Sequence, residues 1–494
     1  MGGMLRHKLD ALGGNFFRLT LFVACLFLSM DQVFAASDPL TLSEYLTDVK
    51  ANHRGLQSSM MTAEASSQRL DEGNRFYIPK LNAQIVYSDD KSPNVSTTFQ
   101  GNQTLATKYS LGVLEVTPFG LSADLSYNLT QIDVRGASSL FLPDPKYMSA
   151  SPLLSLKQPL WRNGFGHEYQ ASVAMTNAQA RTAHYGAQFA AKLKIAEAEL
   201  TYWKLALAIE TEKYELESEA RAQQLRDWTK KQVDFNLSNT SNYLQAEAAL
   251  KAKRYDGQRA RDRLRKAAID FNSLRGRSTH TVEQPLEKAT PEAVAALEVP
   301  ERGQAREDFL AAQGHRDVAQ ASATLAEERN KPDLSLIASY GLNGLNKDSA
   351  QARQDALSTK YREFMIGAQL QLPLDVFSGF RLERAYEKEF LAAEHQVERK
   401  RFEQDVDWEN LLADFGEAKK RLVLALDLEK VQAQKFLNEK KMHERGRTTT
   451  YQVLIFEQDY LRSQLLVLDS VAEVLGIRTQ MKTFQGDFAQ GVDR

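Results

Sequence analysis

Cysteine is almost missing from this chain. Cys25 is the only one in 494 residues, so no intrachain disulfide can form, and the fold must hold by packing and association. Long apolar runs are missing as well. Beyond residue 35 nothing approaches the roughly 18 consecutive apolar residues of a membrane-spanning helix. Any bilayer crossing would have to be made by strands. Charge of one sign is also lacking: 62 Lys and Arg stand against 64 Asp and Glu, a formal net charge of −2. That balance removes the electrostatic footprint of a nucleic-acid partner. The eight histidines are scattered, with no H-E-x-x-H and no acid-flanked pair, so no metal site is expected. His184 and His395 read as surface or interface residues on helices. Gly164-Phe165-Gly166 resembles a dinucleotide fingerprint, but Tyr169 stands at the third glycine position and no βαβ unit surrounds it. There is no nucleophile motif and no P-loop. An enzyme is not expected, nor is a cofactor. Charge runs such as 210 to 219 read as solvated helix faces.

What is present begins with a leader. Arg6, Lys8 and Arg18 precede the apolar core LTLFVACLFLSM (19 to 30), and Val33-Phe34-Ala35 gives a small-residue exit. This order predicts a secretory signal peptide over 1–35, cleaved after Ala35. Acylation at Cys25 is the alternative, but the apolar run continues past it through Leu26-Phe27-Leu28.

The rest of the chain is a duplication. Pro79, Leu81 and Tyr87 align with Pro332, Leu334 and Tyr340; LKQPL (156 to 160) aligns with LQLPL (370 to 374); Thr240, Leu244 and Glu247 align with Thr450, Leu454 and Glu457. The first repeat covers 36–276 and the second 301–484, with a Pro-bearing linker at 277–300 and a short tail at 485–494. Each repeat reads as helix, strands, long helix, turn, return helix. The opening helices are expected near 43–75 and 302–328, the long ones near 168–235 and 382–445, and the return ones near 241–274 and 451–484. At 1.5 Å per residue each long helix would reach about 100 Å.

Leu193, Leu200, Leu207, Tyr214, Trp228 and Phe235 fall on a seven-residue spacing interrupted only by Arg221. Leu454, Leu461, Leu468 and Leu475 repeat the spacing in the last helix. Such a repeat predicts left-handed coiled-coil packing. The strands add a second signal. Leu121, Ala123, Leu125, Tyr127 and Leu129 alternate with small or polar residues, as Phe364, Ile366, Ala368 and Leu370 do. Long polar connections (88 to 106, 131 to 148, 341 to 360) contrast with one tight turn, Thr117-Pro118-Phe119-Gly120. A barrel wall with lipid outside and water inside has this grammar. Four strands are expected in the first repeat (near 79–88, 107–117, 120–131 and 148–158) and two in the second (near 332–341 and 361–372). Six strands cannot close a channel, and lipid tolerates no open sheet edge. Several copies must therefore complete one barrel.

In this order the motifs resemble the TolC-type outer membrane efflux proteins, across nearly all of the chain beyond the leader. The resemblance rests on Leu40-Thr41-Leu42, on Pro79 and Pro332 entering strands, and on Gln158-Pro159-Leu160 and Leu372-Pro373-Leu374 leaving them. Gly446 with Leu454 and Glu457, and the closing Leu274-Arg275-Gly276 and Leu475-Gly476, complete it. It implies an α+β membrane protein: a homotrimer whose chains share one outer membrane β-barrel, continued into the periplasm by an α-helical coiled-coil barrel of twelve helices. It also implies a passive outer membrane duct of a tripartite efflux or type I secretion system, engaged by a periplasmic adaptor and an inner-membrane pump. Pro79, Pro159, Gly164, Pro332, Pro373 and Gly379 would form the barrel-to-tunnel joints. The turns at Asn236, Leu237 and Ser238 and at Gly446, Arg447 and Thr448 would dock the adaptor. Two departures from the family pattern stand out. Four-stranded members make a twelve-stranded barrel, whereas six strands make eighteen, unless the pair around 117–120 folds as a plug or rim. The aspartates of the family's periplasmic turn are replaced by Gln452 and Ile455, with Asn242 as the first-repeat counterpart of Gln452. A polar and apolar aperture is expected instead of an anionic one.

Two other classes fit part of the pattern. A periplasmic adaptor or coiled-coil scaffold would carry one helical hairpin between soluble β domains, and a single-chain porin would end in a barrel strand.

Overall fold

The computed structural model describes residues 39–486. The expected leader with Cys25, its cleavage point after Ala35, and the tail from 487 onward lie outside the described residues. The chain begins with α1 (Leu42–Asn52) and α2 (Arg54–Gln68), followed by strands β1 (Lys80–Asp90), β2 (Gln103–Val116), β3 (Ser122–Arg135) and β4 (Lys146–Pro159). The long hairpin α3 (His167–Asp234) and α4 (Thr240–Leu274) comes next, then the short α5 (Pro291–Ala295) in the connecting segment. The second half runs α6 (Glu307–Asn330), β5 (Asp333–Leu342), β6 (Gly344–Asn346), α7 (Ser349–Leu357), β7 (Arg362–Gln371), α8 (Val376–Glu444) and α9 (Thr450–Lys482). Both halves run helix, strands, long helix and return helix; the first has the extra hairpin β2–β3, and the second inserts β6 and α7 between β5 and β7.

The expected single helix near 43–75 is two helices. His53 sits in extended backbone, and its Nδ1 accepts the Leu56 N–H at 2.9 Å, so it closes α1 and caps α2. A side chain that caps locally competes with helix continuation. The second long helix starts at Val376 rather than near 382, because Asp375 caps it through the Ser378 N–H at 3.0 Å.

The helices form four lanes. α3 and α8, 68 and 69 residues long, run the whole length; the other two lanes are each stacked from two shorter helices. α2 lies against the first half of α3 and α4 against the second. Between α3 and α8, α6 fills the level next to the sheet and α9 the level beyond. At the seam between levels, the end of α4 meets α1, the short helix that precedes α2, through a stacked Tyr45–Phe271 pair with centroids 4.2 Å apart. There Arg275 reaches Asp48 at 2.5 Å. The other short lane is joined alike: Gly303 N–H donates to Phe484 O at 2.9 Å, and Arg306 lies 4.6 Å over the Phe484 ring.

Burial along α9 follows the seven-residue pattern, with Leu461, Leu468, Leu475, Val467 and Val474 all buried. Along α3 it does not. Leu193 and Leu200 are half-exposed, and the deepest stripe is Ile195, Ala198, Tyr202 and Leu205. The reason is position. α3 is flanked on two sides, and Leu200 and Leu207 line the groove left between α4 and α9.

The strands make one open antiparallel sheet in the order β1-β2-β3-β4-β5-β7, with β6 extending the β5 side against β4. The β2–β3 hairpin is a full part of the sheet, not a plug or rim. One row crosses all six long strands through Leu81, Val113, Leu125, Leu154, Tyr340 and Phe364. The next row, on the opposite face, is Asn82, Gly112, Ser126, Leu153, Gly341 and Glu363. The apolar row is well exposed, Leu81 at 70% and Phe364 at 68%. On the other face Gly112, Ser335 and Gly341 are buried, and Ser110 Oγ donates to Asn128 Oδ1 at 2.8 Å across it. The apolar face is covered where α7 packs Ala352 and Ala356 onto Ala150, beside Tyr127, Leu129 and Met148. A surface this apolar is a membrane or partner surface. If that surface meets lipid, Leu125→Arg should cost about 2–4 kcal/mol of stability, whereas Ser126→Arg, on the other face, should be tolerated; urea titration in lipid bilayers measures both.

Candidate functional site

At the first joint Pro159 ends β4, yet pairing continues briefly, since Leu160 N–H donates to Leu334 O at 2.7 Å and Arg162 N–H to Pro332 O at 3.0 Å. The turn that follows has three left-handed residues, Asn163, Phe165 and Gly166, at φ of 56°, 53° and 83°. Gly164, the expected bend residue, is not left-handed, and a Cβ there would meet nothing within 4 Å. Gly166 carries the demand: its added Cβ would run into Pro118 O of the β2–β3 turn and approach Gly120 N at 2.9 Å. Carboxylates lock the joint. Buried Glu328 accepts the Asn163 N–H at 3.2 Å and pairs with Lys331 at 2.7 Å, and Glu168 bridges Arg162 and Arg329. At the second joint Pro332 precedes β5 and Pro373 follows β7. Gly379 lies inside the first turn of α8, where a Cβ would overlap the Asn330 side chain; it permits close approach and not a bend. Pro79 directly precedes β1.

At the far end the two helical turns are copies of one motif. Asn236 and Gly446 are left-handed at φ of 60° and 68°. Leu237 N–H reaches back to Gln232 O at 2.8 Å, and Arg447 N–H to Met442 O at 2.9 Å, the same five-residue closure. A second bond is duplicated: Asn242 Nδ2 donates to Ser238 Oγ at 3.0 Å, and Thr448 Oγ1 to Gln452 Oε1 at 2.9 Å. Asn242 and Gln452 thus tie each turn to the helix behind it. Ile455, one turn further along α9, is half-buried.

Behind the tips, α3, α4, α8 and α9 surround a cavity of about 370 Å³. Glu457, buried in its wall, accepts from Ser218 Oγ at 2.6 Å and Arg221 Nη2 at 3.1 Å, with Lys253 Nζ 3.6 Å away. The Arg221 guanidinium lies over Phe436 and Tyr460, themselves stacked. Arg221 is the one interruption of the seven-residue pattern in α3, which was the sequence signal for this cluster. In the first half the matching Glu247 is only 3.7 Å from Arg226 and is less buried. His443 packs on Trp228 at 4.3 Å, and its Nε2 is 3.3 Å from Thr450 Oγ1; burial pushes its pKa down. Among the described residues no group of three His, Cys, Asp or Glu side chains gathers as a metal site.

The open edges lie on matching sides of the two layers. β7 continues into α8, and α8 exposes Phe377, Phe402, Leu424 and Val431. On the opposite side β1 follows α2, and the α2/α4 lane exposes Met61, Leu244 and Tyr255. Every residue of β1 is exposed along its length.

No family model matches the chain, nor does any curated protein sequence. Solved structures do. The outer-membrane channel OprN superposes with a TM-score of 0.63 at 16% identity, over 92% of this chain and 91% of that one. The outer membrane protein VceC of Vibrio cholerae gives 0.62 at 12%, over 90% and 95%. The open state of the MtrE outer membrane channel of Neisseria gonorrhoeae gives 0.60 at 13%, over 90% and 88%. This chain has the outer membrane channel fold. The two repeats, the open sheet and the paired helical hairpins all belong to that fold.

Gly446→Ala should weaken the α8–α9 tip by about 1 kcal/mol, because a Cβ is disfavoured at positive φ. Asn236→Gly should be neutral or slightly stabilising, and amide exchange at the two tips compares them. Glu457→Gln should cost about 3 kcal/mol, since it leaves Arg221 and Lys253 without their shared carboxylate. Because the folded state holds His443 below the ordinary histidine value of about 6.5, the unfolded state takes up a proton first as pH falls. Tip stability should therefore be full at neutral pH and decline below about 6.5. His443→Gln should flatten that dependence in amide exchange at pH 5.5 and 7.5.

Proposed function

We propose that three copies of this chain form a duct through the outer membrane, with the sheets sealed edge to edge as a barrel and the helical lanes continuing it through the periplasm. The observation that carries this reading is the apolar row that crosses all six strands and stops at two unpaired edges. A membrane-facing wall with open edges is not viable alone, so it supports a ring of copies. An even number of strands keeps the pairing of β7 with the next copy's β1 antiparallel. The exposed apolar residues of α8 and of the α2/α4 lane lie on the same two sides as β7 and β1, so one neighbouring copy would cover sheet and helix edges together. The likeness to outer membrane channels supports the location and the passive role.

In this reading the duct supplies no chemistry. A periplasmic adaptor engages the turns at 236–238 and 446–448, and an inner-membrane pump supplies the energy. The tips narrow the duct near Asn242, Gln452 and Ile455, where the Thr448–Gln452 and Ser238–Asn242 bonds place hydroxyl and amide groups and the Glu439 carboxylate is engaged by the Thr448 hydroxyl.

The protein should fractionate with outer membranes and migrate as a heat-sensitive trimer; a soluble periplasmic monomer would overturn the proposal. In planar bilayers the channel should show weak cation preference, which Gln452→Asp should raise severalfold. Unchanged selectivity in that variant would place the constriction elsewhere.

A further inference from the structure

We infer that the β2–β3 hairpin widens the membrane outlet to eighteen strands, giving the barrel the gauge of the helical tunnel below it and an exit fit for bulky cargo such as an extended polypeptide. The inference rests on the trimeric duct proposed above, and its occupant for the open β7 edge is strand β1 of a second copy. Three observations carry it. First, β2 and β3 are the longest strands with β4, at 14 residues each. They pair along their whole length, and the rows of both faces run through them without a break. Second, the hairpin is fastened to the tunnel rim at its base: Gln170 Nε2 donates to Pro118 O at 2.9 Å and Gln158 Nε2 to Phe119 O at 3.3 Å. Third, the middle of the hairpin's other face presents small or polar residues, Ser110, Gly112, Ser126 and Asn128, with the bulkier Lys108, Leu114 and Ile132 toward its ends, as suits a wall turned to an aqueous bore.

The two layers then agree in size. Six strands spaced about 4.8 Å apart and tilted about 40° occupy about 38 Å of circumference. Four helices packed about 10 Å apart occupy about 40 Å. Four strands would occupy only about 25 Å and force the duct to taper at the membrane. For three copies the backbone diameter is about 36 Å with eighteen strands and about 24 Å with twelve. Barrels of 16–18 strands hold an open aqueous channel. Inserting two strands also keeps the alternation of direction, so the outer edges are unaffected.

The test uses the purified full-length oligomer in lipid nanodiscs and a variant lacking residues 103–135, whose remaining loop can still join β1 to β4. Electron cryo-microscopy should count eighteen strands in the wild type and twelve in the variant. Poly(ethylene glycol) added on the extracellular side should enter the wild-type barrel at a chain size excluded by the variant. Twelve wall strands in a wild-type trimer, with 103–135 outside the wall, would overturn the inference while leaving the duct intact. An equal polymer cut-off in two folded proteins would do the same. A monomer would instead remove the duct itself, and if the variant fails to assemble, the wild-type strand count decides alone.

Discussion

The structure is organised around backbone hydrogen bonding that cannot be left open in lipid. Every N–H and C=O at membrane depth has to be paired within protein, because no water is there to accept or donate. The sheet satisfies this between β1 and β7 and fails at both outer edges. Its apolar face makes the failure untenable in one copy and satisfiable by several. The helical layer obeys the same geometry with a different force: α8 and the α2/α4 lane leave apolar residues uncovered on the sides where the strands end. In the proposed trimer, barrel closure and tunnel closure are therefore one event.

Duplication explains how a single chain fills four lanes at two levels. A long helix can span both levels, but a return helix stops half-way, and the opening helix of a repeat completes its lane. The stacked Tyr45–Phe271 pair and the Arg306–Phe484 contact are the splices that make two short helices act as one wall element. Both splices combine a ring with a guanidinium, since Arg275 also lies over Phe271. Each splice thus couples apolar burial to a directional polar contact, which fixes the register of the stacked pieces as well as their stability.

Both the shaft and the tips bury charge. The shaft sets buried ion pairs, Lys192 with Glu307 and Lys482 with Glu199, among alanine-rich and leucine-rich seams, and the tips gather charge around a cavity: Glu457 under Arg221 and Lys253, and His443 against Trp228. Buried ionic groups are costly to desolvate and depend on geometry. A wall made this way is less tolerant of displacement than an apolar one, and it can be disturbed by pH or by a partner's charge.

Much of this was legible in the sequence. Proline and glycine punctuation, the period of two in the strands and the period of seven in the helices located every long element, because local backbone preference and side-chain alternation act over a few residues. The recurrence of Pro79 and Pro332, and of Thr240 and Thr450, exposed the duplication for the same reason. Tertiary structure decided what depends on neighbours far along the chain. It settled that Gly166 and not Gly164 needs the space at the joint, since Pro118 presses on it, and that Gly379 answers to Asn330. It placed Arg221 beside Glu457, 236 residues away, and left Leu193 and Leu200 half-exposed because α3 is flanked on two sides. It also put the β2–β3 hairpin in the sheet, since alternation reveals that a strand has two faces but only pairing reveals which strands lie beside it.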